Sequence, residues 1–203
     1  MGVVQDIFKK SNNPIAELVE RGWVYDLSEA AFNTAPTGTI TLANTTPLLL
    51  LALAAQADPL CAIPLYLSLC QTGTVAGGAV TVIMEKDNAN RLTSGGTDAT
   101  VLNARMTKTH SLPSGATMRS RTDSGITATN AYGIRMWGVT VGQDVSPAEG
   151  VPNELVWTPP AGPDYIEATA DLGASWLIFA DAGTTGPTLF WSARVAIFPA
   201  SQL

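Results

Sequence analysis

The sequence predicts an all-β chain, an antiparallel β-sandwich best matched by a jelly roll, preceded by a short, partly helical N-terminal arm. Three observations predict it. Roughly eight to ten short runs of β-branched, aromatic and aliphatic residues are separated by Gly, Pro, Asn and Asp clusters, the punctuation of an all-β fold. After residue 36 no stretch has the length and 3.6-residue period of a helix, so the crossovers of a βαβ fold have no sequence to form from. The closing stretch alternates, with Trp191, Ala193, Val195 and Ile197 on one face and Ser192 and Arg194 on the other.

Composition bounds the fold to one domain. A chain of 203 residues that is 46% hydrophobic can bury a sizeable core. The sandwich is expected over residues 37–203 and the arm over 1–36. Lys and Arg number 11 against 17 Asp and Glu, a net charge of −6, which argues against a phosphate-binding surface and a nucleic-acid partner. The longest apolar run, Pro47 to Ala55, is about half of what a spanning helix needs. With no signal-peptide pattern at the start, a soluble protein made in a reducing cytoplasm is expected, with no membrane partner. Cys61 and Cys70 would fall on opposite faces of a shared strand, too far apart for a disulfide, and are expected as two buried thiols.

In chain order, Val3, Val4, Ile7 and Phe8 have helical spacing, and Ile15, Leu18, Val19 and Gly22 begin a second amphipathic turn after Pro14. This apolar stripe has two uses: folding back on its own sandwich, or docking on a neighbouring subunit. Residues 38–42 read as a short strand. Leu48 to Ala55 reads as a strand buried on both faces, although leucine and alanine also favour helix. In Cys61 to Cys70, Ile63, Leu65, Leu67 and Leu69 share one face, and Pro64 argues for an edge or strand-start position. Further strands are expected at 79–84, 101–106, 116–121, 132–141, 154–158 and 165–170. Trp176 to Phe179 and Leu189 to Phe198 form the arms of a closing hairpin, which needs a facing sheet to cover its apolar side.

The inventory of reactive residues is thin. His110 is the sole histidine, which excludes a site with several imidazoles, and it reads as a surface residue. Neither a phosphate loop nor a nucleophile elbow is present. The carboxylates lie mostly in turns, where Asp satisfies backbone donors, and no two stand out as a glycosidase pair. Residues 87–90 cluster oxygens at close spacing without the full calcium-loop series. Arg119 and Arg121 form a small basic pair. Trp137, Trp157, Trp176 and Trp191 fall in expected strands and read as core. No catalytic residue, metal or cofactor is expected.

The landmarks Pro64-Leu65-Tyr66-Leu67-Ser68-Leu69, the Gly-rich segment 71–78, Glu85 to Arg91 with Ser94-Gly95-Gly96-Thr97, Ala131-Tyr132-Gly133, Asn153 to Pro159 and Thr185 to Ser192 follow one another in a characteristic order. In that order the chain resembles small jelly-roll virion structural proteins of tailed bacteriophages, over roughly residues 35 to 198. The resemblance implies a homotrimeric accessory protein that cements or decorates the capsid surface, with the major capsid protein and itself as partners. It implies no enzymatic activity. Under this reading Ile7, Phe8, Leu18, Val19 and Trp23 are the arm's anchors, and Arg194 marks a subunit contact. Two alternatives stand beside it: a head-fibre module recognising a host glycan through exposed turn tips, and a shell-forming jelly-roll capsid protein.

Overall fold

The structure, a computed structural model, describes residues 2–30, 37–38, 43–71, 80–121, 126–129, 133–141, 154–159, 164–182 and 188–203. Two helices, α1 (Val3–Lys10) and α2 (Pro14–Glu20), open the chain. The strands follow as β1 (Val24–Ser28), β2 (Leu49–Leu53), β3 (Leu60–Gln71), β4 (Val80–Asp87), β5 (Leu92–Gly95), β6 (Thr97–Asp98) and β7 (Thr100–Asn103). Then come β8 (Ala116–Ser120), β9 (Ile126–Ala128), β10 (Ile134–Val141), β11 (Glu154–Trp157), β12 (Ile166–Glu167), β13 (Ala174–Ala182) and β14 (Leu189–Pro199).

One six-stranded sheet has the order β11-β3-β14-β1-β7, with β12 also on β3. A second has the order β10-β4-β13-β2-β8-β6, and β5 pairs with β9 alone. All these ladders are antiparallel. The expected β-sandwich is therefore what the chain forms, with more strands than an eight-stranded roll. Eight consecutive pairs, β1/β2, β2/β3, β3/β4, β6/β7, β7/β8, β10/β11, β12/β13 and β13/β14, each place one member in either sheet. The inner faces meet in one core, where Trp157 of β11 packs on Trp176 of β13 with ring centroids 6.5 Å apart.

This topology corrects the closing hairpin. β13 pairs with β2 and β4, β14 with β1 and β3, and no ladder joins the two arms. The connection exceeds the two-residue loops that lock a hairpin, so the chain has the reach to cross the roughly 10 Å between layers. In opposite layers both apolar faces point into the same core, and Trp176 and Trp191 are fully buried.

The strand Leu60–Gln71 also departs from the simple alternation. Its register against β14 shifts between Arg194 and Val195, which pair with Tyr66 and Pro64, leaving Leu65 as the extra residue of a bulge. Pro64 thus sits mid-strand in an interior position, tolerated because the bulge disrupts the ladder where its missing N–H would be needed. The extra residue reverses the alternation. Leu67 and Leu69 face the sandwich core, while Ile63 and Leu65 face outward under the helices. For the same reason Cys61 and Cys70 share the outer face instead of lying on opposite ones.

Both sheets carry an outer cover. On the first, α1 and α2 lay Val4, Ile7 and Leu18 over Val24, Cys61, Ile63, Leu65, Ala196 and Phe198. On the second, β5 and β9 bring Ile126 and Ala128, with Leu92 beside them, over Leu50, Ala52, Leu177 and Phe179. That second cover explains why all five residues of β2 are buried: Leu49, Leu51 and Leu53 face the main core while Leu50 and Ala52 face the β5-β9 layer. The expected strand at 38–42 lies outside the described residues except for Gly38. The segment Val24–Ser28, assigned to the arm by sequence, is a strand held between β14 and β7.

Burial sets the chemistry of the two cysteines. Neither forms a disulfide; Cys61 is buried and Cys70 half-buried, which corrects the expectation of two buried thiols. Burial, with the Glu167 carboxylate adding, pushes the Cys61 thiol from its ordinary value near 9 up to about 12. The fold thus prefers the neutral thiol. Its contribution is fully present below pH 9 and is lost as pH rises from about 9 to 12. Denaturant midpoints are expected to fall over that window and to fall less steeply in Cys61→Ala. At pH 8 native protein should react with iodoacetamide at Cys70 before Cys61. An equal rate at both thiols would contradict the burial.

Candidate functional site

The outer face of the first sheet is divided in two. Alternation along β14 sends Phe190, Ser192, Arg194, Ala196 and Phe198 outward, opposite the core-facing Trp191, Ala193, Val195 and Ile197. The helices cover the Ala196 and Phe198 half. The Arg194 half holds a groove of about 480 Å³, lined by Leu65 and Tyr66 of β3, Asp26 and Ser28 of β1, Ser192 and Arg194 of β14, and Thr100 and Leu102 of β7. Ile15 of α2 forms one rim. That rim is set by local sequence, since Asn13 caps the helix by accepting from the Ala16 N–H at 3.1 Å and Pro14 occupies the first turn.

At the groove's centre Arg194 grips Asp26 in a two-pronged pair. Nε donates to Oδ1 at 2.6 Å and Nη2 to Oδ2 at 3.1 Å. The residues are directly cross-strand partners in the β1-β14 ladder, so the backbone register aligns the fork before the side chains pay any ordering entropy. Hydrogen bonding to Asp26 raises the guanidinium above its ordinary value, against a partial loss of solvation. Both side chains keep over two fifths of their surface in solvent. An ion pair this exposed contributes at most about 1 kcal/mol to folding. Ile15 and Leu102 at the rims are large apolar side chains left exposed.

Of the residues selected from sequence, Arg194 alone lies in this groove. Ile7 and Leu18 are buried on the same sheet's covered half, with Phe8, Val19 and Trp23 partly buried around them. Trp23 stacks on Phe198 at 5.6 Å, with the Arg21 guanidinium 5.3 Å from its ring. Folding back on its own sandwich is therefore the use this stripe has here. Asp26, Tyr66, Thr100 and Leu102 went unselected because a groove drawn from four strands leaves no spacing to detect. The one available signal was the alternation of Tyr25 and Leu27 against Asp26 and Ser28, which marks a strand.

Other sequence candidates resolve into structural contacts. The Asp87 carboxylate accepts from Arg91 Nε at 2.9 Å and Nη2 at 3.1 Å and from the Ala89 N–H at 3.1 Å, while Asn90 Oδ1 accepts from the Leu92 N–H. The Asp87 oxygens lock a turn and are committed to donors of this chain. Arg119 bonds the Gly95 and Gly96 carbonyls and pairs with Asp98, so it is tied down within its own strand neighbourhood. Gly96 has φ 74°, and a side chain there would strike Ile126 and the Ser120 carbonyl. His110 is exposed, as expected, and its Nδ1 accepts the Asn103 N–H at 3.1 Å. Trp157, Trp176 and Trp191 are core, whereas Trp137 is only partly buried on β10.

Among the described residues no group of three or more His, Cys, Asp or Glu side chains is placed to hold a metal ion, and no helix is long and apolar enough to cross a membrane. No family model, curated protein or solved structure matches the chain.

Proposed function

We propose that this chain is a virion structural protein of a tailed bacteriophage that binds the capsid as a homotrimer and cements or decorates its surface. The reading rests on the family resemblance of its strand and turn segments, and one structural observation supports it. Among the described residues β10 pairs only with β4 and β11 only with β3, so each sheet presents an open edge. Such edges are templates for a neighbouring chain. Val156, half-exposed on β11, supplies an apolar contact there.

The arm's part in attachment narrows to Phe8, Val19 and Trp23, which keep some exposed surface, while Ile7 and Leu18 hold the helices on the sheet. Symmetric repetition of weak edge contacts then adds through multivalency. Light scattering is expected to give three times the 21.2 kDa chain mass. The protein should co-sediment with capsids, and Val156→Lys should lower both association and capsid occupancy. A monomer that leaves capsids bare would refute the proposal.

A further inference from the structure

We propose that the groove around Arg194 binds a neutral, hydroxyl-rich ligand, a pyranose unit of a glycan. The proposal is independent of capsid attachment and concerns a different surface from the β10-β11 edge. At about 480 Å³ the groove is within the range of small-ligand sites. Most of its exposed lining is apolar, with Ile15, Leu65 and Leu102 among the contributors, and the polar groups gather around the Arg194-Asp26 pair, a combination that suits the C–H face and the hydroxyls of a sugar. Arg194 commits two of its five N–H donors to Asp26, and Asp26 keeps lone pairs beyond the two it uses, so donors and acceptors stand side by side and face solvent.

The rest of the lining matches. Hydroxyls of Ser28, Thr100 and Ser192 surround the pair, and Tyr66, the cross-strand partner of Arg194, offers a ring for the C–H face of a sugar together with a polar tip. Charge decides between ligand classes. The one cation among the described residues of the lining is already neutralised by Asp26, on a chain of net charge −6, so a carboxylate or phosphate ligand would have to displace Asp26. A two-fold contact through this face would need a self-complementary surface, which a concave one does not offer, and the copies of the proposed trimer meet at the β10 and β11 edges instead.

The test is binding of a panel of neutral methyl pyranosides and a sialylated trisaccharide to the purified full chain, followed by NMR. At least one neutral pyranoside is expected to bind with about millimolar affinity. Its shifts should centre on the amides of Ser28, Thr100 and Ser192. Tyr66→Ala and Arg194→Lys should each weaken binding about tenfold or more, the second because an ammonium keeps the charge and loses the fork. If Tyr66→Ala does not fold, Tyr66→Phe and the wild-type shift map decide. Failure of every neutral sugar to bind, shifts centred elsewhere, or preference for the sialylated ligand would each overturn the proposal. Capsid co-sedimentation is a separate measurement, so either reading can fail alone.

Discussion

Replacing Trp191 with alanine is expected to remove about 3–5 kcal/mol of stability, enough to unfold much of a domain whose total is typically about 5–15 kcal/mol. Trp191 is fully buried on β14, which lies between β3 and β1 in the first sheet, and its ring enters the main core between the layers. Truncation forfeits the transfer of a large aromatic and leaves a cavity that two hydrogen-bonded sheets cannot close. Trp191→Phe separates two terms. The Trp191 Nε1–H is buried without a hydrogen-bond partner among the described residues, a defect of about 1–3 kcal/mol. Phenylalanine removes that defect along with some volume, so its net cost is expected near 1–2 kcal/mol. Urea denaturation followed by circular dichroism measures both. A loss below about 1 kcal/mol for the alanine variant would place Trp191 outside the core.

Deleting residues 1–35 is expected to leave no cooperatively folded protein. The deletion removes β1 from between β14 and β7, which bares the edge of β14 and takes from β7 the strand it pairs with. It also takes away Val4, Ile7, Leu18, Val24, Tyr25 and Leu27, all buried. At about 1.5–3 kcal/mol per side chain, those six amount to roughly 10 kcal/mol or more, comparable to the whole stability. Removing residues 1–12 instead loses α1 alone, with Val4 and Ile7, at a cost of about 3–6 kcal/mol. Thermal melts should show no transition for the longer deletion and a lowered one for the shorter. A near-native melt without residues 1–35 would mean that β1 is dispensable. The proposed capsid attachment is therefore better tested with Phe8, Val19 and Trp23 point variants than by removing the arm.

Much of the fold was legible locally. The uninterrupted apolar run of Leu49–Leu53 signalled burial on both faces, and β5 and β9 supply the second cover. The alternation of Trp191, Ala193, Val195 and Ile197 against Ser192 and Arg194 located the inner face of β14. Misreadings arose where local text was compatible with two long-range outcomes. Val24–Ser28 follows two helices and was absorbed into the arm, though Tyr25 and Leu27 alternate with Asp26 and Ser28. In β3 a single extra residue at Leu65 reversed the faces of everything after it, which no count of alternating leucines could show.

By itself the sequence determined the class of the protein, because strand periodicity, turn residues and the amphipathic helices of the arm are written within about ten residues of each position. It also determined that Arg194 points away from the core. Only the tertiary structure decided what Arg194 meets. Asp26 is 168 residues distant in the chain, and the two become partners solely because β1 inserts beside β14. Tyr66 joins them through β3 on the other side, and Ile15 through a helix folded back over the sheet. Pairing between distant strands depends on complementary burial across the whole sandwich, a global sum that no local segment carries.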